Sequence, residues 1–372
     1  MPVHSLGIAA GRDHFTVALS GKELRERLKT FIQIDREKAR DDFKLGPDSR
    51  DWQVKLAQED LKKRDWVRCI AEILYRPFDS RETCYTGQSR GFHCMPRQDV
   101  MRHFFGAEPN FGLCTTRSVE ISAGWHHVFA TRQPIQLHSV SLKEVNYVFP
   151  LYLYPNGKMP EADLFPHANG RRPNLSAKFI EDFCQKLRVN FVPVGFGHPA
   201  KRIVGPDCMF NYAYAVFHSP DYRERYAQFL RADFPRLPIT CDFELFRALA
   251  GFGGELVDLH ARGKGEPQEI GFPVKGDNVI DEARYQPTQG REPGRVWIND
   301  EQYFEPVAET AWTFPIGGYL PAQRWLKDRI GRTLGYDEQQ EYQRIIWALM
   351  ETRRLMAEID ASIKQHGGWP MN

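Results

Sequence analysis

The sequence has no long uncharged hydrophobic run and no paired cysteine motif. No window approaches the roughly 18 apolar residues of a membrane-spanning helix, and the first 15 residues lack the basic and apolar segments of a secretory signal. The seven cysteines are never spaced C-x-x-C, which favours free thiols in a reducing compartment. Cys84, His93, Cys94 and His103 are zinc-ligand types, but their spacing resembles no zinc finger. We therefore predict a cytoplasmic protein that contacts no membrane and binds no metal.

Sequence patterns of common nucleotide-binding centres are also missing. There is no G-x-x-x-x-G-K-[ST] phosphate loop and no complete G-x-G-x-x-G pattern, so neither ATP hydrolysis nor dinucleotide binding is predicted. Asp48, Asp60 and Lys62 imitate the acid–acid–lysine set of magnesium-dependent nucleases. Asp60, however, falls in a charged helical stretch rather than on a strand, so a nuclease remains a minor alternative. We predict no catalytic residue in this chain.

Arginine is distributed unevenly along the sequence. Residues 64–142 contain nine arginines and no lysine, and residues 171–202 carry seven basic side chains against two acidic ones. A guanidinium group can contact a phosphate or a guanine edge through two hydrogen bonds, whereas a lysine acts as a point charge. Together with 13% aromatic residues, this pattern favours binding to a large anionic partner. Genome-wide composition and an ordinary solvated surface would produce the same bias.

Hydrophobic periodicity predicts an α+β protein. Charged helices are expected within residues 21–65, with a break near Gly46, and β-prone runs cover residues 125–131 and 147–154. Apolar residues repeat every three or four positions from residue 337 to 366, which predicts a long amphipathic helix. We accordingly predict three segments: a helical N-terminal connector (1–66), a mixed, β-rich recognition lobe (67–300) and a helical C-terminal part (301–372).

Several ordered segments resemble the C-terminal target-recognition, or specificity, domain of type ISP restriction-modification enzymes. The resemblance spans nearly the whole chain and is carried by LYRPFDSR (74–81), PNFGL (109–113), YVFPLYLY (147–154), FNYAYAVFHSPDYRERY (210–226), LVDLH (256–260), IGGY (316–319) and WLKDR (325–329).

The resemblance implies what the chain does and what it leaves to other domains. Type ISP enzymes are single polypeptides with a nuclease, a helicase-type ATPase, a coupler, an adenine methyltransferase and the target-recognition domain. This chain would be the last module, recognising double-stranded DNA for methylation, translocation and cleavage by the others. It lacks the Asn-Pro-Pro-Tyr/Phe motif of adenine methyltransferases, so catalysis is not transferred to it. S-adenosylmethionine, ATP and magnesium would belong to the other domains.

Basic and amide side chains are the candidate DNA contacts. The predicted arginines on the DNA side are Arg76, Arg81, Arg90, Arg97, Arg102 and Arg117. The predicted phosphate contacts are Arg171, Arg172, Lys201 and Arg202, and the predicted base readers are Gln88, Ser89, Gln98 and Asn110. Arg76 and Arg81 have a structural alternative, which is pairing with Asp79, Glu82 or a neighbouring element. The alternative function is a protein-interaction or scaffold module of a phage-defence assembly that does not contact DNA.

Overall fold

Helices and several small sheets alternate along the chain in the computed structural model, which describes residues 1–106, 108–120, 124–155, 170–263 and 270–371. This mixture confirms the predicted α+β class. The α-helices are α1 (Asp13–Thr16), α2 (Gly21–Phe31), α3 (Arg36–Asp42), α4 (Val54–Lys62), α5 (Gln98–Met101), α6 (Ala177–Leu187), α7 (Pro206–His218), α8 (Pro220–Arg225), α9 (Ala227–Ala232), α10 (Phe243–Ala261), α11 (Glu309–Trp312), α12 (Pro321–Lys327) and α13 (Tyr336–Gln365).

The strands are short and form mainly antiparallel sheets, ordered β1-β7-β5-β6, β2-β4-β3, β10-β12-β11, β13-β14-β15 and β8-β9. Only the β10–β12 pair is parallel among the strands that the structure describes. The strands are β1 (Ser5–Leu6), β2 (Val17–Ala18), β3 (Ile70–Arg76), β4 (Asp79–Cys84), β5 (Gly112–Thr116), β6 (Val128–Thr131), β7 (Asn146–Pro150), β8 (Tyr152–Leu153), β9 (Arg172–Pro173), β10 (Asn190–Phe191), β11 (Gly197–His198), β12 (Ile203–Val204), β13 (Arg284–Gln286), β14 (Arg295–Trp297) and β15 (Tyr303–Phe304).

The N-terminal helices surround an aromatic core of their own. The hydroxyl of Ser20 accepts a hydrogen bond from the backbone N–H of Glu23 and so caps the start of α2. Asp35 caps α3 in the same way. The buried side chains of this core include Phe15, Phe31, Trp52, Leu61 and Phe92. Helices within residues 21–65 are thereby confirmed, and the chain between α3 and α4 contains the predicted break.

A second layer is built on the four-stranded sheet. Strand β5 lies between β6 and β7, with Cys114 opposite Phe129 on one side and Val148 on the other. All four residues of β6 are buried, because α10 packs against this strand. A strand buried on both faces reads as a continuous apolar run rather than an alternating one.

Helices α7, α10 and α13 pack together beside this sheet. A Cβ atom at Gly253 in α10 would overlap the backbone oxygen of Asn211 in α7, so the two helices approach each other at this glycine. Inside the bundle the Tyr214 hydroxyl lies 2.6 Å from His260 Nδ1, and His260 Nε2 lies 2.7 Å from the Thr352 hydroxyl. This buried polar line joins the three helices, because its residues come from α7, α10 and α13 respectively.

The long helix α13 is the predicted amphipathic helix, observed at Tyr336–Gln365. Its first half packs in one hydrophobic core with Ile8 near the start of the chain, and its second half packs in another that also includes Met371 and, partly buried, Met1. The hydrophobic cores therefore cross the predicted segment boundaries, and the division at residues 66 and 300 stays a prediction. Among the helices in the described ranges, none is long and apolar enough to cross a membrane.

Candidate nucleic-acid interface

Five of the predicted contact residues, all of them arginines or glutamines, lie on one stretch between β4 and β5. Gln88, Arg90 and Gln98 are exposed, and Arg97 and Arg102 are half-buried. A Cβ atom at Gly87 would lie 3.1 Å from the side-chain amide carbon of Gln98, so the start of the turn containing Gln88 and Arg90 comes close to α5. We call these five residues the loop surface.

Two arginines of the loop surface have a left-handed backbone. The φ angle is 55° at Arg90 and 56° at Arg97, a region that glycine occupies freely and that costs other residues roughly 1 kcal/mol or more. Hydrogen bonds hold both in place: the Arg90 N–H donates to the Cys94 carbonyl at 2.9 Å, and the Arg97 carbonyl accepts from the Met101 N–H at 2.9 Å. The chain thus keeps a long cationic side chain at two positions where the backbone favours glycine.

Several of the candidate guanidinium groups are not fully hydrogen-bonded. The Nε atoms of Arg97, Arg102 and Arg171 are buried and have no hydrogen-bond partner in the part of the chain that the structure describes. Burial also lowers the pKa of Arg102, which nearby Asp99 offsets only in part. A buried donor without an acceptor costs free energy, so a phosphate oxygen that reached these groups would stabilise them.

His103 connects the loop surface to the second basic segment. Burial lowers its pKa to about 4, together with the positive charges of Arg102 and Arg172. Arg102 precedes His103 in the chain, and Arg172 lies opposite Leu153, next to Tyr154, whose N–H donates to His103 Nδ1 at 3.0 Å. Arg171 donates to the Pro109 carbonyl at 2.9 Å, and its guanidinium lies 4.0 Å from the centre of the Tyr152 ring. Arg171 and Arg172 therefore adjoin the segment that follows the loop surface.

Two predicted contact residues, Arg76 and Asn110, are buried, and a third, Arg81, is half-buried and paired with acids of the fold. Arg76 is only 6% exposed and donates to the Gln136 side chain at 3.0 Å. Arg81 pairs with Asp79 and Asp328, which matches the structural alternative for this residue.

Asn110 is 3% exposed. Its amide donates to the carbonyls of His103 and Tyr152 and accepts from the Tyr152 N–H. Its hydrogen-bonding capacity is used within the fold, so Asn110 is not available to read a base.

Of the remaining predicted residues, Arg117 and Arg202 contact side chains of other segments, and Ser89 and Lys201 are exposed. Arg117 forms an exposed ion pair with Asp233 after α9, at 3.3 Å. Arg202 has a left-handed backbone and lies over the Phe243 ring at 4.3 Å, and Lys201 beside it is exposed. Ser89 is exposed between Gln88 and Arg90. Within the described ranges, these contacts do not join Arg117, Lys201 or Arg202 to the loop surface.

The alternative nuclease residues have separate structural roles. Asp48 accepts from the Val54 N–H at 3.0 Å and so lies at the start of α4. Asp60 accepts from the Phe92 N–H at 2.9 Å and pairs with Arg64. The two carboxylates hold different segments, and no group of three or more potential metal ligands occurs in the described part of the chain.

One hydrolase-like pattern, missed from sequence, also occurs on the loop surface. Residues 87–91 read Gly-Gln-Ser-Arg-Gly and so match G-x-S-x-G. In hydrolases this serine lies on a sharp turn from a strand directly into a helix. Here β4 ends at Cys84 and α5 begins only at Gln98, and the nearby His93 is hydrogen-bonded to Thr83. The local structure is therefore not that of a nucleophile elbow.

Comparison with known proteins assigns the family. The family model described as "Type ISP C-terminal specificity domain" matches residues 1–358. The chain belongs to this family, which confirms the resemblance seen in the sequence. No curated protein matches the chain.

Three solved structures are similar in fold. A cryo-EM structure of a DrdV–DNA complex has a TM-score of 0.66 and 20% identity, and the match covers 96% of this chain and 35% of that one. The structure of the ATP-dependent Type ISP restriction-modification enzyme LlaBIII bound to DNA has a TM-score of 0.64 and 16% identity, and the match covers 96% of this chain and 23% of that one. The structure of a nuclease-deletion mutant of the Type ISP restriction-modification enzyme LlaGI in complex with a DNA substrate mimic has a TM-score of 0.62 and 18% identity, and the match covers 96% of this chain and 33% of that one. The chain thus spans about a quarter to a third of these polypeptides.

Proposed function

We propose that this chain is the sequence-specific recognition module for double-stranded DNA in a type ISP restriction-modification enzyme. The observation that carries this proposal is the family match over residues 1–358. The similar folds of DNA-bound enzymes support it. In this proposal adenine methylation, translocation and cleavage, with S-adenosylmethionine, ATP and magnesium, belong to other domains of the same polypeptide or complex, and this chain supplies no catalytic residue.

The positions of the arginines and glutamines support separate contacts with phosphates and with bases. The basic series consists of Arg97 and Arg102, which flank α5, and Arg171 and Arg172, at the start of β9. We propose that it contacts phosphates of the duplex. The exposed amides of Gln88 and Gln98 lie beside this series, and a glutamine can contact an adenine edge through two hydrogen bonds. Phosphate contacts would fix the register on the duplex, and the amides would discriminate the bases.

Salt-dependent binding tests this proposal. Affinity of the full chain for short duplexes is measured across a salt series, with Arg97→Ala, Arg102→Ala and Arg171→Ala as variants. Each variant should weaken binding to all duplexes and reduce the slope of log affinity against log salt by ~0.9 if it removes one phosphate contact. Arg247→Ala is the control, because Arg247 is a partly exposed arginine on α10 that pairs with Glu244. Affinity that does not respond to salt would contradict DNA recognition.

Gln88→Ala and Gln98→Ala test base reading separately. These variants should reduce discrimination between duplexes of different sequence while leaving the salt slope unchanged, because neutral amides release no counterions. Equal loss of affinity for every duplex would assign the glutamines to backbone contacts instead.

One observation favours the alternative of a protein-interaction module. An apolar cavity of about 390 Å³ lies between the four-stranded sheet and α6 and α7, lined by His4, Phe149, Phe179, Ala213 and Phe234 among others. A cavity of this size accepts one or two large apolar side chains of a partner polypeptide. Ala213→Leu would narrow it. Loss of association with a separately expressed methyltransferase part, with duplex affinity unchanged, would support this second role.

A further inference from the structure

An exposed phenylalanine lies at the edge of the loop surface. Phe105 is 44% exposed, and its ring stacks on Tyr85 with the centroids 4.8 Å apart and the planes inclined by 27°. One face of the ring is therefore covered by protein. The part of the ring that stays exposed gains nothing from burial in the fold, so it is available to a partner.

The surrounding contacts fix the position of Phe105. The Phe105 N–H donates to the Arg102 carbonyl at 3.2 Å, and the Tyr85 hydroxyl donates to the Pro96 carbonyl at 3.2 Å. A Cβ atom at Gly106 would overlap the Tyr154 ring, so the backbone beside Phe105 packs directly on that ring.

Tyr154 is itself held from both ends. Its hydroxyl donates to the Glu108 carbonyl at 2.6 Å, and its N–H donates to His103 Nδ1 at 3.0 Å. Because the supporting rings are anchored in this way, the stacked pair of Tyr85 and Phe105 is positioned before any partner arrives. A positioned side chain loses little conformational entropy on binding.

The chemistry beside Phe105 matches a nucleic acid. Arg102 lies three residues before it and Arg97 lies at the start of the same helical turn, whereas Asp99 is the acid between them. Every base has an aromatic face on which a planar ring can stack, and apolar side chains next to cationic ones are used to open a base step. A hydrophobic protein partner would not require the neighbouring guanidinium groups.

We propose that Phe105 stacks on a nucleobase of the bound duplex, opening a base step next to the positions read by Gln88 and Gln98. This inference rests on the proposed DNA recognition and extends it to a distortion of the DNA. The protein ring would replace part of the stacking that the base loses. Such a step would contribute to specificity through the ease with which its sequence unstacks.

Fluorescence of 2-aminopurine tests the inference. The probe is a short duplex selected from a randomised pool by the chain itself, with 2-aminopurine replacing each adenine in turn. Fluorescence of this analogue rises when it is unstacked. Binding of the unchanged chain should raise it at one position, and Phe105→Ala should abolish the rise and weaken affinity about tenfold. Phe105→Trp should restore both, because it keeps a stacking ring.

Phe229→Ala is the matched control, since Phe229 is 66% exposed but lies on α9. Thermal melting of each variant confirms folding. The inference is overturned if Phe105→Ala behaves like Phe229→Ala while Arg97→Ala still weakens binding, a result that leaves DNA recognition standing. It is also overturned if Phe105→Ala impairs association with a methyltransferase partner and not with the duplex. Absence of duplex binding by the unchanged chain would overturn the proposed function itself.

Discussion

Replacing Arg90 by glycine separates the stability of the loop surface from its function. Arg90 has a φ angle of 55° and is exposed, so glycine relieves backbone strain of about 1 kcal/mol. The unfolded chain gains roughly 0.4–1 kcal/mol of conformational freedom in return. We therefore expect a change in unfolding free energy between about zero and a gain of about 0.6 kcal/mol, measured by urea denaturation.

The same substitution should weaken DNA binding. One phosphate contact changes the slope of log affinity against log salt by ~0.9, so a fourfold rise in salt weakens each contact by about 3.5-fold. Raising the salt from 50 to 200 mM weakens binding of both proteins. The fold-loss of affinity should be about 3.5 times smaller for Arg90→Gly than for the unchanged chain. Fluorescence anisotropy with a labelled duplex measures both curves.

Lys44→Gly provides the control. Lys44 is also exposed, with a φ angle of 52°, and lies after α3, so glycine relieves the same backbone strain outside the loop surface. It should match Arg90→Gly in stability and the unchanged chain in DNA affinity. The reasoning is refuted if the two glycine variants have the same salt dependence, because Arg90 would then make no contact with phosphate.

Three further predictions concern the scaffold. Asn110→Ala should destabilise the fold by about 1–3 kcal/mol in thermal or urea denaturation, because it leaves buried backbone groups unpaired; altered base preference at unchanged stability would contradict this role. Gly253→Ala should destabilise the packing of α7 on α10. Gly251→Ala has open space around its Cβ and should stabilise α10 by up to about 1 kcal/mol. Equal melting temperatures of the two variants would argue against a close approach of α7 and α10 at Gly253. Burial lowers the pKa of four histidines to about 4, so the unfolded chain takes up protons first as pH falls. The free energy of unfolding should therefore be highest above about pH 6.5 and decline towards pH 4 by up to about 1.4 kcal/mol per histidine per pH unit. A constant melting temperature over this pH range would contradict this expectation. These histidines are His93, His103, His126 and His127.

Long periodic elements were predictable from the sequence. The helix predicted for residues 337–366 is observed as α13, because one apolar stripe is sustained over many turns. Asp242 caps α10, accepting from the backbone N–H groups of Glu244 and Leu245. Strands of two residues such as β10 and β12 have no alternation to detect, since their pairing depends on distant parts of the chain.

Burial of polar residues was the main limit in predicting the site. Arg76 and Arg97 occur in the same lysine-free stretch, yet only Arg97 lies on the loop surface. Arg76 ends a strand whose neighbours are apolar, and this local setting is a weak signal of burial. Asn110 follows a proline in a segment typical of an exposed turn, but tertiary contacts with Tyr152 place it in the interior. Such contacts join residues 42 positions apart, which local pattern does not reveal.

The core around α7 has a consequence for synthesis of the protein. It combines Met1, partly buried, with the buried Met371 near the other end of the chain. Its packing is therefore completed only after the ribosome has made residue 371. Until then the partly made chain exposes apolar surface of α7 and α10, and such surface is prone to aggregation.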